Sequence, residues 1–228
     1  MKNQKNSHFS KVAMKLNRKY YHKVKTRTHI LESALKLMGQ GKSLDSLSLR
    51  EVSREAGIVP GGFYRHFANM EEMGLAIVEE VSEKLRTILK EARQAGVTHK
   101  SALKESNTIF FTYVKENRLI FSFIYRERSG SNQRIRFAIR NAMKFFAAEL
   151  ASDLYNTTTF QKVSHSELEF VADFIITTMF TLSGEFLDMD SRDKGAEKKL
   201  LAKSVKQIRY IYRGLLLNRR RKDKVVEQ

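Results

Sequence analysis

Tyr64, Arg65 and His66 stand side by side in the segment Pro60-Gly61-Gly62-Phe63-Tyr64-Arg65-His66-Phe67. A phenol, a guanidinium and an imidazole on one short turn suit hydrogen bonds to phosphate oxygens and base edges. The rest of the chain offers little to an alternative chemistry. Gly61-Gly62 has neither the Walker spacing of a phosphate loop nor a strand before it. No Gly-x-Ser-x-Gly elbow occurs, and Ser164-His165 lacks a third triad member. His99 and His165 are isolated at segment starts and read as surface or capping residues. With no Cys at all, disulfides and thiolate metal sites are excluded, and no Cys/His cluster has metal spacing. Neither an enzyme nor a cofactor or metal site is expected.

The elements that must position this turn are readable upstream. Leu49, Val52 and Ala56 fall at i, i+3 and i+7, the apolar stripe of a short helix. Ser48 precedes the stripe and Glu51 follows three residues later, a capping box in which each side chain satisfies the other's backbone donor. Gly57 supplies the left-handed residue that stops the helix. Pro60 cannot continue a helix but can begin one. Two short helices joined by a tight Gly-containing turn read as helix-turn-helix, whose second member enters the DNA major groove. An ordinary helical hairpin in a core is the alternative. The crowding of Tyr64, Arg65 and His66 on a short turn and the strongly basic surroundings count against it.

Charge points the same way. The 228 residues carry a formal charge of +17, which implies a polyanionic partner or surface. From Met1 to Thr28 there are Lys and Arg but no Asp or Glu, and Arg219-Arg220-Arg221-Lys222 lies near the other end. The first segment reads as a flexible basic arm near phosphates, a solvated tail, or a transit peptide. No uninterrupted apolar run reaches the ~18 residues of a membrane span, and no secretory signal is present, so no membrane partner is expected.

Thr26 can cap a first helix with Ile30, Ala34, Leu35, Leu37 and Met38 as its apolar set, closed by Gly39 and Gly41. A headpiece core of Leu31, Leu35, Leu47, Leu49, Val52, Ile58 and Phe67 is expected. Asn69 can cap the next helix, whose period holds from Leu75 to Leu89 and ends at Gly96. Further helices are expected at about 101–117, 118–127, 133–155, 165–188 and 195–218. The fold class is all-α, with about nine helices: a three-helix DNA-binding headpiece and a larger helical domain. The expected boundaries are a basic flexible arm at 1–25, the helix-turn-helix domain at 26–69, a ligand-binding and dimerisation domain at 70–218, and a basic tail at 219–228.

The larger domain concentrates aromatics, including Phe110, Phe111, Tyr113, Phe121, Tyr125, Phe137, Phe170 and Phe174. Individually these are plain core; collectively they suit an apolar tunnel between helices, the usual ligand site of a helical domain. Arg126, Arg128, Arg134 and Arg136 surround Ser129-Gly130, either to bind an anionic headgroup or as a solvated helix end paired with Glu127. The last two helices have broad apolar faces, with Phe174, Met179, Phe186, Val205, Ile208 and Tyr212 among their residues. Such faces bury against a second copy or inside the monomer.

These residues also carry a resemblance. The segment from Thr26 to Met38, followed by SLSLREVSREAG and FYRHF, resembles the amino-terminal domain of the TetR family of bacterial repressors. Residues 121–140, FSFIYRERSGSNQRIRFAIR, are similar to the TetR-type repressors of unsaturated fatty-acid synthesis, the FabR and DesT group. The resemblance implies a cytoplasmic, nucleoid-associated homodimer on a pseudo-palindromic operator in double-stranded DNA. Its last two helices would form the dimer interface. It implies base or sugar contacts from Tyr64 and His66, phosphate contacts from Arg27, Ser48, Arg50, Tyr64 and Arg65, and backbone amides at Gly61 and Gly62. It also implies a hydrophobic effector, a long-chain acyl-CoA or acyl-carrier-protein thioester, held by the aromatics above with Arg128. A different hydrophobic or cationic effector is the alternative, and acidic residues such as Glu169, Asp173 and Glu185 inside the pocket would favour a cation. A charge-driven architectural binder of nucleic acid is a third reading. Two departures stand out: Gly61-Gly62 replaces a small polar pair, and Met70-Glu71 stands where many members place a phosphate-binding Lys.

Overall fold

The computed structural model describes the backbone of residues 3–94, 99–190 and 192–226, and the side chains of residues 20–89, 103–190 and 192–217. Among the described residues there are nine α-helices, one short 3-10 turn and no strand. The chain divides into two compact units, Met1–Ile77 and Val78–Gln228. The expected break at Gly96 lies outside the described residues, as do the side chains of His99 and of the basic tail.

The first unit holds α1 (Asn3–Gly39), a 3-10 turn (Leu44–Ser46), α2 (Leu49–Glu55), α3 (Pro60–Phe63) and the start of α4 (Met70–Gln94). Ile30, Leu31, Ala34, Leu35 and Met38 form one buried stripe on α1, because residues three and four apart share a helix face. Leu44, Leu47, Val52, Ala56, Phe63, Phe67 and Met73 are buried in the same unit. Leu49 and Ile58, expected in this core, are only half-buried. Phe63 takes the larger share: starting the helix at Pro60 puts Phe63 and Phe67 one turn apart on the inner face, with ring centroids 5.6 Å apart.

Several expected punctuation marks hold. Gly57 has φ +62, a left-handed value that favours glycine. Asn69 Oδ1 accepts from the Glu72 amide at 2.8 Å, capping α4. Thr26 is different. α1 begins at Asn3, and the Thr26 hydroxyl donates to the His22 carbonyl at 2.9 Å, an interior bond rather than a cap. With no Pro or Gly before Gly39, nothing in the chain breaks the helix there.

The second unit holds the rest of α4 and then α5 (His99–Glu116), α6 (Arg118–Glu127), α7 (Gln133–Tyr155), α8 (His165–Asp188) and α9 (Lys194–Val226). Helices α5, α6, α7 and α9 all pack on α8. That central place explains the composition of α8, the helix among the described residues long and apolar enough to cross a bilayer. Leu168, Val171, Ala172, Ile175, Met179, Leu182 and Phe186 are buried within the unit. Caps set the helix starts: Asn132 Oδ1 accepts from the Ile135 amide at 3.0 Å, and the Ser164 hydroxyl accepts from the Glu167 amide at 3.3 Å. Arg118 donates to the Leu187 and Met189 carbonyls, seating the start of α6 on the carbonyl end of α8. Gly184 makes the α6–α8 approach possible, since a Cβ there would lie 2.3 Å from the Tyr125 ring.

Candidate nucleic-acid interface and effector core

The outer surface of α3 is assembled by its neighbours. Tyr64 is 61% exposed and Arg65 is exposed beside it. Backbone bonds from His66 and Phe67 to the Phe63 carbonyl, at 2.8 and 3.0 Å, extend the helical turn beneath them. Gly61 would meet nothing if it carried a Cβ, and Gly62 only the Ile58 side chain at 3.5 Å. Neither has a positive φ. The fold therefore does not require glycine at either position, and the pair leaves bare backbone at the start of the helix.

Ser48 is held as a cap. Its hydroxyl accepts from the Glu51 amide at 3.2 Å and donates to the Glu51 carboxylate at 2.8 Å, which also takes the Ser48 amide at 2.9 Å. Lys42 bonds the other carboxylate oxygen. The Lys42 ammonium and the Ser48 donors hold the Glu51 carboxyl well below the usual range, at about 2. Arg50 is exposed on the same short helix.

Arg27 is placed differently from a free phosphate ligand. Its guanidinium lies over the Phe67 ring at 4.4 Å, and Nη1 donates to the His66 carbonyl at 3.2 Å. It braces α1 against the end of the recognition segment, so any phosphate contact would be shared with that role. His66 is half-buried and its Nδ1 has no partner within the protein. Burial, then the charges of Lys23, Arg27 and Arg65, push its pKa below the ordinary imidazole value. Lys23 was not among the expected DNA contacts; its four-residue spacing from Arg27 on a continuous helix is the signal that places it here.

In the second unit, four of the expected effector residues come together. Phe110, Phe111, Tyr113 and Phe121 are all buried. Phe110 meets Phe111 and Phe121 at 5.3 and 6.1 Å, and Tyr113 meets Phe121 at 5.7 Å. Phe186, expected at a dimer interface, joins them 5.4 Å from Phe111. Two buried polar atoms on α5 have no protein partner, the Tyr113 hydroxyl and Asn107 Oδ1. Burial raises the Tyr113 pKa. Buried polar atoms without partners are rare enough in folded proteins to need an explanation.

The other expected effector residues lie elsewhere. Phe137, Phe170 and Phe174 are 58%, 74% and 56% exposed, so none faces the interior of the protomer. Tyr125 lies at the unit's outer edge, stacked on Phe180 at 6.4 Å, and Arg128 sits over the same ring at 5.4 Å. Two of the arginines near Gly130 are engaged by backbone carbonyls, while Arg128 Nη1 is buried without a partner. Arg136 donates to the Gly130 and Ser131 carbonyls at 2.6 Å each, and Arg126 to the Ser122 carbonyl at 3.2 Å.

The expected dimer set is corrected in the same way. Met179, Phe186 and Ile208 belong to the protomer core, and Tyr212 packs on Phe160 at 5.3 Å with its pKa pushed up to about 12 by burial. Val205 is half-buried, and only Phe174 of that set is exposed. An apolar stripe marks burial in either case; the sequence cannot say whether the covering surface is its own.

Known proteins place this geometry. Residues 30–77 match the model of bacterial regulatory proteins of the tetR family, and residues 100–208 that of the tetracyclin repressor-like carboxy-terminal domain. An uncharacterized HTH-type transcriptional regulator of Haemophilus influenzae is 35% identical over 193 residues, 84% of this chain and 91% of the relative. The chain belongs to the TetR family of transcriptional regulators. That family consists of ligand-responsive DNA-binding proteins, not enzymes. Among solved structures, FadR from Bacillus subtilis in complex with stearoyl-CoA aligns with a TM-score of 0.54 at 16% identity, covering 71% of this chain and 95% of that one. AibR in complex with isovaleryl coenzyme A and operator DNA aligns with a TM-score of 0.62 at 13% identity, covering 80% and 97%. At these identities the structures establish a shared fold.

Proposed function

We propose that this TetR-family chain is a dimeric repressor that senses a long-chain acyl thioester and controls genes of unsaturated fatty-acid synthesis or desaturation. The observation that carries the effector class is the closed aromatic core of α5, α6 and α8, with the buried Tyr113 hydroxyl unpartnered in it. An acyl chain gains ~0.8 kcal/mol for each buried CH₂, and the Tyr113 hydroxyl can donate to a thioester carbonyl. The complexes of FadR with stearoyl-CoA and of AibR with isovaleryl coenzyme A support this class. Against a cationic effector, Glu169, Asp173 and Glu185 are all exposed, and Glu185 is paired with Lys203 at 2.7 Å.

In this reading α3 lies in the major groove of each operator half-site, in the cytoplasm, with Tyr64 at the bases and Arg50 and Arg65 on phosphates. The dimer buries the exposed Phe170 and Phe174 of α8 against the partner's α9 face, which exposes Tyr210 and the cations Lys206, Arg209 and Arg213. Glu169 and Asp173 on α8 complement those cations. Effector binding acts through α4, the continuous helix that runs from the first unit into the second. It shifts the DNA-binding equilibrium only as far as the effector prefers one state. Native mass spectrometry of protein purified from cells, with footprinting on genomic fragments, tests the proposal. A bound acyl thioester and one short palindrome near lipid-synthesis or desaturase genes are expected. A different bound mass would overturn the effector, and uniform coverage of DNA would overturn the repressor.

A further inference from the structure

We propose that the Val59 side chain reads a thymine in each operator half-site, its isopropyl group packing on the C5-methyl in the major groove. The contact rests on the DNA-binding role of α3 proposed above and adds to it a residue that discriminates between bases. Val59 is the last residue before α3 and is 74% exposed. Pro60 and Gly61 are exposed after it, followed on the next turn by Tyr64 and Arg65. The backbone around Val59 is fixed on both sides. The Ile58 amide donates to the Ser53 carbonyl at 2.9 Å, and the Gly62 amide to the Val59 carbonyl at 2.7 Å. A β-branched side chain is stiff at χ1, so an apolar group is held in water at a defined place.

The position breaks a local rule. Ser48, Asn132 and Ser164 precede α2, α7 and α8, and each accepts from a backbone amide with its side chain. Val59 holds the same place before α3 and makes no such bond. Valine is among the poorer residues there, because it leaves a backbone donor at the helix start without a partner. Packing does not account for it either, since most of the side chain faces water. A residue that serves neither its helix nor the core marks a functional surface. The chemistry of the groove then names the group it meets. Base edges there present hydrogen-bond donors and acceptors, and the one apolar group among them is the thymine methyl. Gly61, with open space where a Cβ would stand, puts no side chain next to Val59 to hold a base pair away.

The test uses the full chain and the operator it selects from a random pool of duplexes. Each thymine of a half-site is replaced in turn by deoxyuridine, which removes only the C5-methyl. At one position the wild type is expected to lose about fourfold in affinity, the effect of one methyl-sized group returned to water. V59A is expected to bind the thymine operator weaker by about the same factor and to show no further loss at that position. V59S separates binding from folding. It restores a capping hydroxyl, so its melting temperature rises while its affinity for the thymine operator falls. An equal deoxyuridine penalty in wild type and V59A, or none in the wild type, would overturn the Val59 contact and leave operator recognition by Tyr64 standing. So would full affinity of V59S for the thymine operator. Failure of the wild type to select any sequence would overturn the DNA-binding role and this contact together.

Discussion

Gly57 and Gly61 are four positions apart and do unlike work. At φ +62 Gly57 holds a conformation that costs a side-chain-bearing residue about 1–2 kcal/mol, so Gly57→Ala is expected to lower headpiece stability by about that much in thermal melts. Gly61 is in ordinary helical space with nothing near its missing Cβ; Gly61→Ala is expected to raise stability by roughly 0.5–1 kcal/mol. A fall in stability for Gly61→Ala would mean that the bare backbone has a structural role. Tyr64 is the sharper test of function. It is 61% exposed, so Tyr64→Ala should leave the melting temperature nearly unchanged while weakening operator binding by ~1–3 kcal/mol. Unchanged affinity in a gel shift would remove α3 from the groove. The cap at Ser48 and the stop at Gly57 were legible because each answers to local backbone geometry. The bracing role of Arg27 was not, because its partners His66 and Phe67 are 39 and 40 positions away.

Among the elements, α2 is the most sharply specified, with a reciprocal cap at one end and a left-handed glycine past the other. The Glu51 carboxyl at about 2 ties the stability of α2 to pH. Its folded value lies below the ordinary carboxylate value, so its contribution is complete above about pH 4.5 and is lost as pH falls toward about 2. Glu51→Gln should therefore melt below wild type near neutrality, with the gap narrowing steadily on acidification. A gap independent of pH would assign the effect to packing rather than to the charged cap. Helix ranges in the second unit were readable from the periodicity, but the caps that set two of their starts, Asn132 and Ser164, were not singled out by it. The beginning of α1 was not readable. Thr26 is a competent cap residue, but a cap forms only where the preceding chain leaves the helix, and here it stays helical.

For the whole molecule, the proposed dimer makes a prediction about which apolar faces a second copy covers. Phe170 and Phe174 stand one turn apart on α8, exposed, while Met179 and Phe186 on the same helix are buried. Replacing both exposed rings, F170E/F174E, should yield a particle of the single-chain mass of 26.5 kDa by sedimentation, with the helical circular dichroism retained. A dimer that survives the double variant would place the interface elsewhere. Operator affinity of that variant should fall steeply, because two linked headpieces bind as one ligand.

What the sequence determined alone is the local grammar: helices α2 to α8 to within a few residues, the caps at Ser48 and Asn69, the stop at Gly57, and the exposed Tyr64-Arg65 pair. Each depends on contacts within about four residues along the chain, and those the residue order encodes directly. The tertiary structure decided which aromatic rings gather inside, which stay outside, and that Arg27 and Lys23 converge on His66. Apolar periodicity says that a face must be covered, but only the packing of distant helices says by what.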